Sequence, residues 1–296
     1  MADKIVLLKP DAGTLAETEK IANQMIEKFP AYWSGYNNLS LVRLFQRKRT
    51  EALQLIDKAL SLAPSDPEVH YQRMFVVRAL GEYEEALASL DRAQTLNPTA
   101  IHYLLQAAIM HRDAGNPKEA LAAAEKMIAI EPTNAEGYAA AGRALLDQKD
   151  YRRAEEMLRK ALSIDANFAP ALANLARMFL IRRNLREAQS HLERAAKADA
   201  RDYETQLFHG DLLVQQKRQD DAIAYYQRAI EYGTFPGWLA SHPRARLGRI
   251  YENKGDNRRA IEFFERAMLN DPRGYASLKT DVDRLKARLP AEPAPR

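Results

Sequence analysis

Side chains that could take part in catalysis occur in this sequence, but their spacing matches no common catalytic motif. There is no G-x-S-x-G, no G-x-x-x-x-G-K-[ST], no G-x-G-x-x-G after a strand and no H-E-x-x-H. The absence of cysteine excludes disulfides, thiol catalysis and cysteine-ligated zinc. His209 beside Gly210 is interpreted as a packed, hydrogen-bonded histidine rather than a ligand or a base. We therefore expect a non-enzymatic protein with no catalytic residues, no metal ion and no cofactor.

Arginine is the residue type whose spacing points to binding. Arg143 and Arg177 lie 34 residues apart, and Arg246 and Arg249 follow further along the chain. A guanidinium group can hold a carboxylate with two parallel hydrogen bonds, so these residues suit a partner that carries acidic side chains.

The elements that must position these arginines are paired amphipathic helices. The clearest pair is Leu247–Pro272, LGRIYENKGDNRRAIEFFERAMLNDP, broken at Lys254–Asn257. Gly and Asp/Asn supply a tight turn, alanines allow close helix packing and proline ends the second helix. In order, the stretch carries Leu247-Gly248, Tyr251, Gly255, Ala260, Phe264, Ala267 and Pro272. This pattern resembles the tetratricopeptide repeat (TPR), a helix–turn–helix unit of about 34 residues.

The pattern recurs along most of the chain and predicts seven repeats. We place them at residues 33–66, 67–100, 101–134, 135–168, 169–202, 203–236 and 241–274. The resemblance implies an all-α fold, a right-handed α-solenoid (superhelix) of stacked antiparallel helix pairs. Its surface would bind proteins, because each pair packs only on its neighbours and leaves an extended concave face.

The ends of the array are predicted to be caps. The segment 1–32 contains one helix at residues 14–28 that would cover the first repeat, and the amphipathic helix at 275–289 would cover the last. The tail 290–296 is expected to be disordered. The spacing breaks once, at Gly237–Ala240, where Phe235 and Trp238 either pack on adjacent repeats or form a contact for a partner.

Composition and charge agree with a helical binding protein. The net charge of +4 is uneven: −6 for residues 51–150 (9 basic, 15 acidic) and +7 for residues 151–296 (27 basic, 20 acidic). Such asymmetry can orient a charged partner, although a solvated helical surface also shows it. No apolar run reaches the roughly 18–20 residues that a membrane span needs, so we expect no membrane insertion and a cytoplasmic location.

The resemblance also implies which residues face a partner, because selected positions of each first helix point into the groove. The groove's N-terminal half would be apolar and aromatic, and its C-terminal half rich in arginine. Glu136, Asp147, Glu204 and Glu252 share this face, so surface ion pairs are the alternative role for the arginines. The predicted peptide-binding residues are Asn38, Phe45, Tyr71, Phe75, Arg78, Arg112, Arg143, Asn174, Arg177, Arg246 and Arg249.

The function predicted from these observations is a TPR scaffold or adaptor that holds a protein partner as an extended or helical peptide with acidic residues. The carboxylate clamp of chaperone-binding TPR domains is not reproduced, since the nearest match has Ala173, Arg177, Phe208, His242 and Arg246 at its positions. One alternative is a substrate-recruiting or regulatory domain of a larger enzyme system, such as a glycosyl- or sulfotransferase. Another is a self-assembling TPR scaffold. Nucleic-acid binding is disfavoured because acidic residues interleave the arginines.

Overall fold

A computed structural model describes residues 12–233, 240–270 and 276–289 of the chain. Within these ranges there are sixteen α-helices and no strand, so the predicted all-α class is confirmed. Phe235, Trp238, most of the predicted insertion at Gly237–Ala240 and the tail 290–296 lie outside the described residues. In chain order the helices are α1 (Ala12–Lys28), α2 (Trp33–Phe45), α3 (Arg49–Leu62), α4 (Pro67–Leu80), α5 (Tyr83–Leu96), α6 (Ile101–Asp113), α7 (Pro117–Ile130), α8 (Ala135–Asp147), α9 (Tyr151–Ile164), α10 (Ala169–Ile181), α11 (Leu185–Ala198), α12 (Tyr203–Gln215), α13 (Gln219–Tyr232), α14 (Ser241–Asn253), α15 (Asn257–Asn270) and α16 (Leu278–Lys286).

The helices that begin each pair start at a regular spacing. The starts of α2, α4, α6, α8, α10 and α12 follow one another by 34 residues. Side-chain caps fix several of these starts: Asp66 accepts from the Glu68 amide at 2.9 Å, Asn134 caps α8 and Asp202 caps α12. Such caps satisfy backbone N–H groups that the first turn of a helix leaves without an intrahelical partner.

The turn inside each pair repeats one unusual backbone conformation. We call the helix that begins each pair its first helix. When the first residue of that helix is counted as 1, residue 15 has a positive φ of 58–90°. Glycine, which adopts this left-handed region without strain, occupies three of the seven sites, and lysine or arginine occupies four. The residues are Arg47, Gly81, Gly115, Lys149, Arg183, Lys217 and Gly255.

The chain divides into two compact units, residues 1–111 and 112–296. In the first unit, α1 packs on α2, α2 on α3, α3 on α4 and α4 on α5. Its core is built from fully buried side chains on these helices, among them Ala22, Ile56, Val69, Met74 and Leu90. Burying aliphatic side chains along one seam is the main favourable contribution to folding of such a stack.

The second unit contains α7 to α16 and repeats the same packing. Each first helix contacts its own second helix, and α10 also contacts the first helices α8 and α12. Small residues allow close approach: a Cβ on Gly210 of α12 would lie 2.4 Å from the ring of Tyr226 on α13. Because first helices lie beside first helices, their side chains can meet over long sequence distances.

Candidate functional site

Side chains of α6, α8, α10 and α12 meet around one buried carboxylate, and the α6 residue, Arg112, is the first residue of the second unit. Glu204, in the first turn of α12, is 9% exposed. Arg143 of α8 donates Nη1–H to its Oε1 at 2.9 Å, and Arg112 of α6 approaches the same oxygen at 3.3 Å. Asn174 of α10 donates Nδ2–H to Oε2 at 2.7 Å. We call these four residues the Glu204 network.

The oppositely charged groups of the Glu204 network keep one another ionised despite their burial. Burial alone would raise the pKa of Glu204, but the guanidinium groups of Arg143 and Arg112 and the amide of Asn174 lower it to about 2. Burial would likewise lower the pKa of Arg112, and the carboxylates of Asp113 and Glu204 raise it instead. The network is therefore fully ionised at neutral pH.

Further carboxylates lie within electrostatic reach of Glu204. Burial and the charge of Glu204 raise the pKa of Asp202 to about 6, although Thr205 donates two hydrogen bonds to it. Burial also raises the pKa of Glu136, with Arg143 opposing the rise and Glu204 adding to it. Counting Asp113 and Asp147, five carboxylates lie in this region with three arginines: Arg112, Arg143 and Arg177. This surrounding charge does not favour a bound acidic group.

A separate cavity of about 450 Å³ lies between α10, α12, α13 and α14 of the second unit. Its apolar lining includes Phe208, Leu180 and Ile250, which are buried, and Ile181, whose exposure is 45%. The charged residues that line it are three arginines and one aspartate: Arg177, Arg246, Arg249 and Asp211. Gln215, Gln219 and Asn253 add amide groups. We call this the α10–α14 cavity.

The arginines of the cavity also have acidic neighbours in the chain. Arg177 donates Nη2–H to Asp147 at 2.5 Å, and Arg246 donates Nε–H to Asp211 at 2.9 Å. Tyr226 donates its hydroxyl to the same Asp211 oxygen at 2.7 Å, so that carboxylate is held from two sides. Arg249 pairs with Glu252 and Asp281. Unlike Arg112 and Arg143, the side chains of Arg246 and Arg249 are about half exposed, at 53% and 48%.

The predicted site residues of the first unit are placed differently. Tyr71 and Phe75 of α4 are buried and make an edge-to-face ring contact at 5.1 Å, and Tyr71 also packs on His102 and Tyr103. Arg78 lies 4.5 Å from the centre of the Tyr83 ring, a cation–π contact. Asn38 and Phe45 are half-buried. The aromatic residues of this unit therefore contribute to its packing.

The structure thus sorts the predicted residues into three places. Arg112, Arg143 and Asn174 meet at Glu204; Arg177, Arg246 and Arg249 line the α10–α14 cavity; and the remaining five lie in the first unit. Phe208 and Asp211 also line the cavity, although neither is among the predicted site residues. The repeat spacing could have indicated Asp211, because it lies 34 residues after Arg177 and so at the same repeat position.

Potential metal ligands are scattered among the described residues. No group of three or more His, Asp or Glu among them is arranged to hold a metal ion. His209, predicted to be a packed histidine, is half-buried and stacks on the ring of Tyr225, and burial lowers its pKa. Every helix in the described ranges is too short or too polar to span a lipid bilayer.

Comparison with known families identifies this arrangement. Four family models described as tetratricopeptide repeat match the sequence, at residues 37–101 and 76–135, 111–178 and 145–211, 203–232, and 245–274. The chain belongs to the tetratricopeptide repeat family. The TPR resemblance and the solenoid fold class predicted from the sequence are therefore confirmed, and none of the matching models describes a catalytic family.

Solved TPR structures share the fold at low sequence identity. A TPR protein from Parabacteroides merdae is 18% identical with a TM-score of 0.58, over 90% of this chain and 98% of the other. Yeast Tom70 is 13% identical with a TM-score of 0.60, over 93% of this chain and 59% of the other. The matched chain in the Cut9–Hcn1 hetero-tetramer of APC/C is 15% identical with a TM-score of 0.58, over 80% of this chain.

These similarities establish the fold and leave the partner open. This chain spans about half the length of the matched chain in the Cut9–Hcn1 structure, 47%. No curated protein matches the sequence.

Proposed function

We propose that this chain is a non-enzymatic TPR scaffold that binds a protein partner, as an extended or helical peptide with acidic residues, along the face formed by its first helices. The observation that carries the proposal is the convergence of first-helix side chains: α10, α12 and α14 together line one open cavity. Peptides that bind helical repeats use such concave faces.

The chemistry of this face suits a peptide. Glutamine and asparagine side chains can both donate to and accept from a peptide backbone, and Gln215, Gln219 and Asn253 line the cavity. Arginine supplies donors for acidic side chains. The side chain of Asn38, on α2 of the first unit, makes no hydrogen bond to another described residue and offers a similar amide group.

Similar structures give this proposal a general precedent. Cut9 was solved in a hetero-tetramer with Hcn1, so one protein of the same fold forms a complex with another protein. The comparison supports the scaffold class only, because the sequence identity is 15%. The cytoplasmic location and the acidic character of the partner stay predictions.

Site-specific photo-crosslinking tests the proposed face. A photoreactive benzoylphenylalanine is placed at Asn253 on α14 or at Asn38 on α2, and the protein is irradiated in native lysate. Matched control positions are Lys126 on α7 and Glu156 on α9, which are exposed on second helices. We expect a shared partner band from the first-helix positions and none from the controls.

Two outcomes would overturn the proposal. Equal labelling of the same protein from Lys126 and Glu156 would place the interaction on the second helices. Crosslinks only between copies of this chain, with a mass that rises with concentration in light scattering, would replace the adaptor by a self-assembling scaffold.

A further inference from the structure

Three basic residues occupy the same place in successive helix pairs of the second unit. Lys149, Arg183 and Lys217 lie 34 residues apart, in the turns that join α8 to α9, α10 to α11 and α12 to α13. Because α10 contacts both α8 and α12, equivalent residues at the ends of these helices lie about 8–10 Å apart, the usual distance between packed helices. We call these three residues the turn row.

The backbone of the turn row suits glycine better than a basic residue. The φ angles of Lys149, Arg183 and Lys217 are 63°, 58° and 63°, and the equivalent residue of three other pairs is glycine. In this left-handed region the Cβ atom crowds the following carbonyl oxygen, so lysine and arginine are strained where glycine is not. Residues held in such conformations cluster at functional sites.

The charges of the turn row are not compensated within the described part of the chain. All three side chains are exposed, and none forms an ion pair or a side-chain hydrogen bond with another described residue. Two carboxylates of the same turns have other partners, since Asp150 pairs with Arg153 and Asp221 pairs with Arg218. The turn row can therefore bind an added anion, unlike the arginines of the α10–α14 cavity, each of which has a carboxylate partner.

The two edges of the second unit carry opposite charge. Because the helices of a pair are antiparallel, turns within pairs lie at one edge and turns between pairs lie at the other. Eleven basic and five acidic residues, a net charge of +6, occur in the turns within pairs, at residues 148–153, 182–187, 216–221 and 254–259. One basic and four acidic residues, a net charge of −3, occur in the described turns between pairs, at residues 130–135, 164–169 and 198–203. The turn row thus lies on the positive edge.

We infer that the turn row binds an extended acidic segment of the partner protein, in which a carboxylate recurs at about every third residue. An extended strand rises about 3.3 Å per residue, so three residues span about 10 Å, which matches the spacing of packed helices. This inference rests on the proposed function, because it assigns the partner's acidic residues to the turn edge. The face of the first helices, whose arginines already have carboxylates, binds the remainder of the peptide.

An acidic protein segment fits the turn row better than a nucleic acid does. Asp150 and Asp221 lie in the same turns and would repel a strand that has a phosphate on every nucleotide. Single-strand binding also uses aromatic side chains on which bases stack. Tyr151, the one aromatic residue in the sequence of these turns, is half-buried, and the Arg182 guanidinium lies 6.0 Å from its ring centre.

Synthetic peptides test the turn row directly. The probe is a blocked peptide of repeated Glu-Ser-Gly units, and its binding to the full chain is followed by the backbone amide NMR signals. We expect shifts at Lys149, Arg183 and Lys217 and none at Glu131, in a turn of the other edge. Replacing every Glu of the peptide by Gln should abolish the shifts, and raising the salt concentration should weaken binding.

Glycine variants separate the charge of the turn row from its role in folding. The triple variant Lys149→Gly, Arg183→Gly and Lys217→Gly removes three charges and supplies the residue that equivalent turns contain. Its thermal unfolding temperature should be equal to that of the wild type or higher, because the strain is relieved. Its affinity for the Glu peptide should fall about tenfold, since each exposed ion pair contributes little alone.

A matched variant controls for the loss of net charge. Arg159→Gln, Arg266→Gln and Lys286→Gln together remove three cations of the second unit that are about as exposed but already have glutamate partners. We expect this variant to bind the Glu peptide as tightly as the wild type.

Three results would refute the turn row. They are equal affinity of the glycine variant and the wild type, an equal loss of affinity in the matched variant, and tighter binding of oligouridylate or of phosphatidylserine vesicles than of the Glu peptide. Any of them, together with partner crosslinks from Asn253 or Asn38, would reject the turn row while leaving the scaffold function in place. Peptide binding that depends on the turn row, without those crosslinks, would reject the scaffold function instead.

Discussion

The Glu204 network and the α10–α14 cavity contain the same residue types in different environments. In both, arginines on first helices face carboxylates on other first helices, yet Glu204 is 9% exposed and the side chain of Arg246 is 53% exposed. Removing one partner of a buried ion pair strongly destabilises the folded protein, whereas exposed ion pairs contribute little to its stability. The comparison teaches that solvent access, rather than residue type, separates the buried arginines of the Glu204 network from the half-exposed arginines of the cavity.

Removal of the Glu204 charge should produce the largest effect. Glu204→Gln removes the ion-pair partner of the buried Arg143 and leaves Arg112 paired with Asp113. We expect a loss of about 3–5 kcal/mol in the free energy of unfolding, measured by urea denaturation. The matched variant Glu156→Gln removes one exposed pair with Arg152 and should change it by less than about 1 kcal/mol.

The pH dependence sharpens the same prediction. The pKa of Glu204 is lowered to about 2 from its ordinary value of 4.5, so its stabilisation is present above pH 4.5 and is lost as the pH falls towards 2. Glu204→Gln should lack this acid-sensitive part of the unfolding free energy. Equal acid sensitivity of the variant and the wild type would show that Glu204 is not the stabilising charge.

An intermediate effect of opposite sign is expected at Asp202. Its pKa is raised to about 6 from 3.8, so the protein loses stability as the pH rises through this interval. Asparagine can keep the cap on α12 without the charge. Asp202→Asn should therefore stabilise the protein by about 1–2 kcal/mol at pH 7.5 and leave it unchanged near pH 3, as measured by thermal unfolding at both pH values.

A cap without the crowded carboxylates provides the control for Asp202→Asn. Asp150 caps α9 through the Arg153 amide, and its ion-pair neighbour is Arg153. Asp150→Asn should show no stabilisation at pH 7.5. A gain equal to that of Asp202→Asn would attribute the effect to the amide side chain instead of to relief of repulsion around Glu204.

The smallest effect on stability is expected in the cavity. Arg246→Gln removes a half-exposed pair with Asp211, and we expect the free energy of unfolding to change by less than about 1 kcal/mol. The same substitution at Arg143, followed by urea denaturation, should cost several times more, since Glu204 would lose its closest cation. Similar losses for the two variants would remove the distinction between the two sites.

The fold could be predicted from the sequence to a large extent because each helix pair is determined locally. The small-residue positions, the turn glycines and the closing proline of residues 247–272 are sufficient to indicate a TPR pair, and the 34-residue recurrence extends it along the chain. Lys149 and Lys217 show the limit: their positive φ follows from register with Gly81 and Gly115, not from their own preferences.

The ion-pair partners could not be predicted in the same way. The sequence places Arg112, Arg143 and Glu204 on one face, but Arg112 and Glu204 are separated by 92 residues. Which charges meet depends on small rotations between successive helix pairs, and these accumulate over three repeats. Burial of Tyr71 and Phe75 depends on the same packing, so their exposure to a partner could not be inferred from their positions alone.

The ion pair between Arg143 of α8 and Glu204 of α12 joins helix pairs that are not neighbours, and it limits how this array can be shortened. TPR arrays are ordinarily divisible, because each pair depends on its immediate neighbours. A fragment ending at residue 202 would lose α12 and leave the Arg143 guanidinium without the carboxylate it contacts at 2.9 Å, two pairs upstream of the cut. The three helix pairs from α8 to α13 should therefore be kept together when the array is truncated or when its repeats are exchanged.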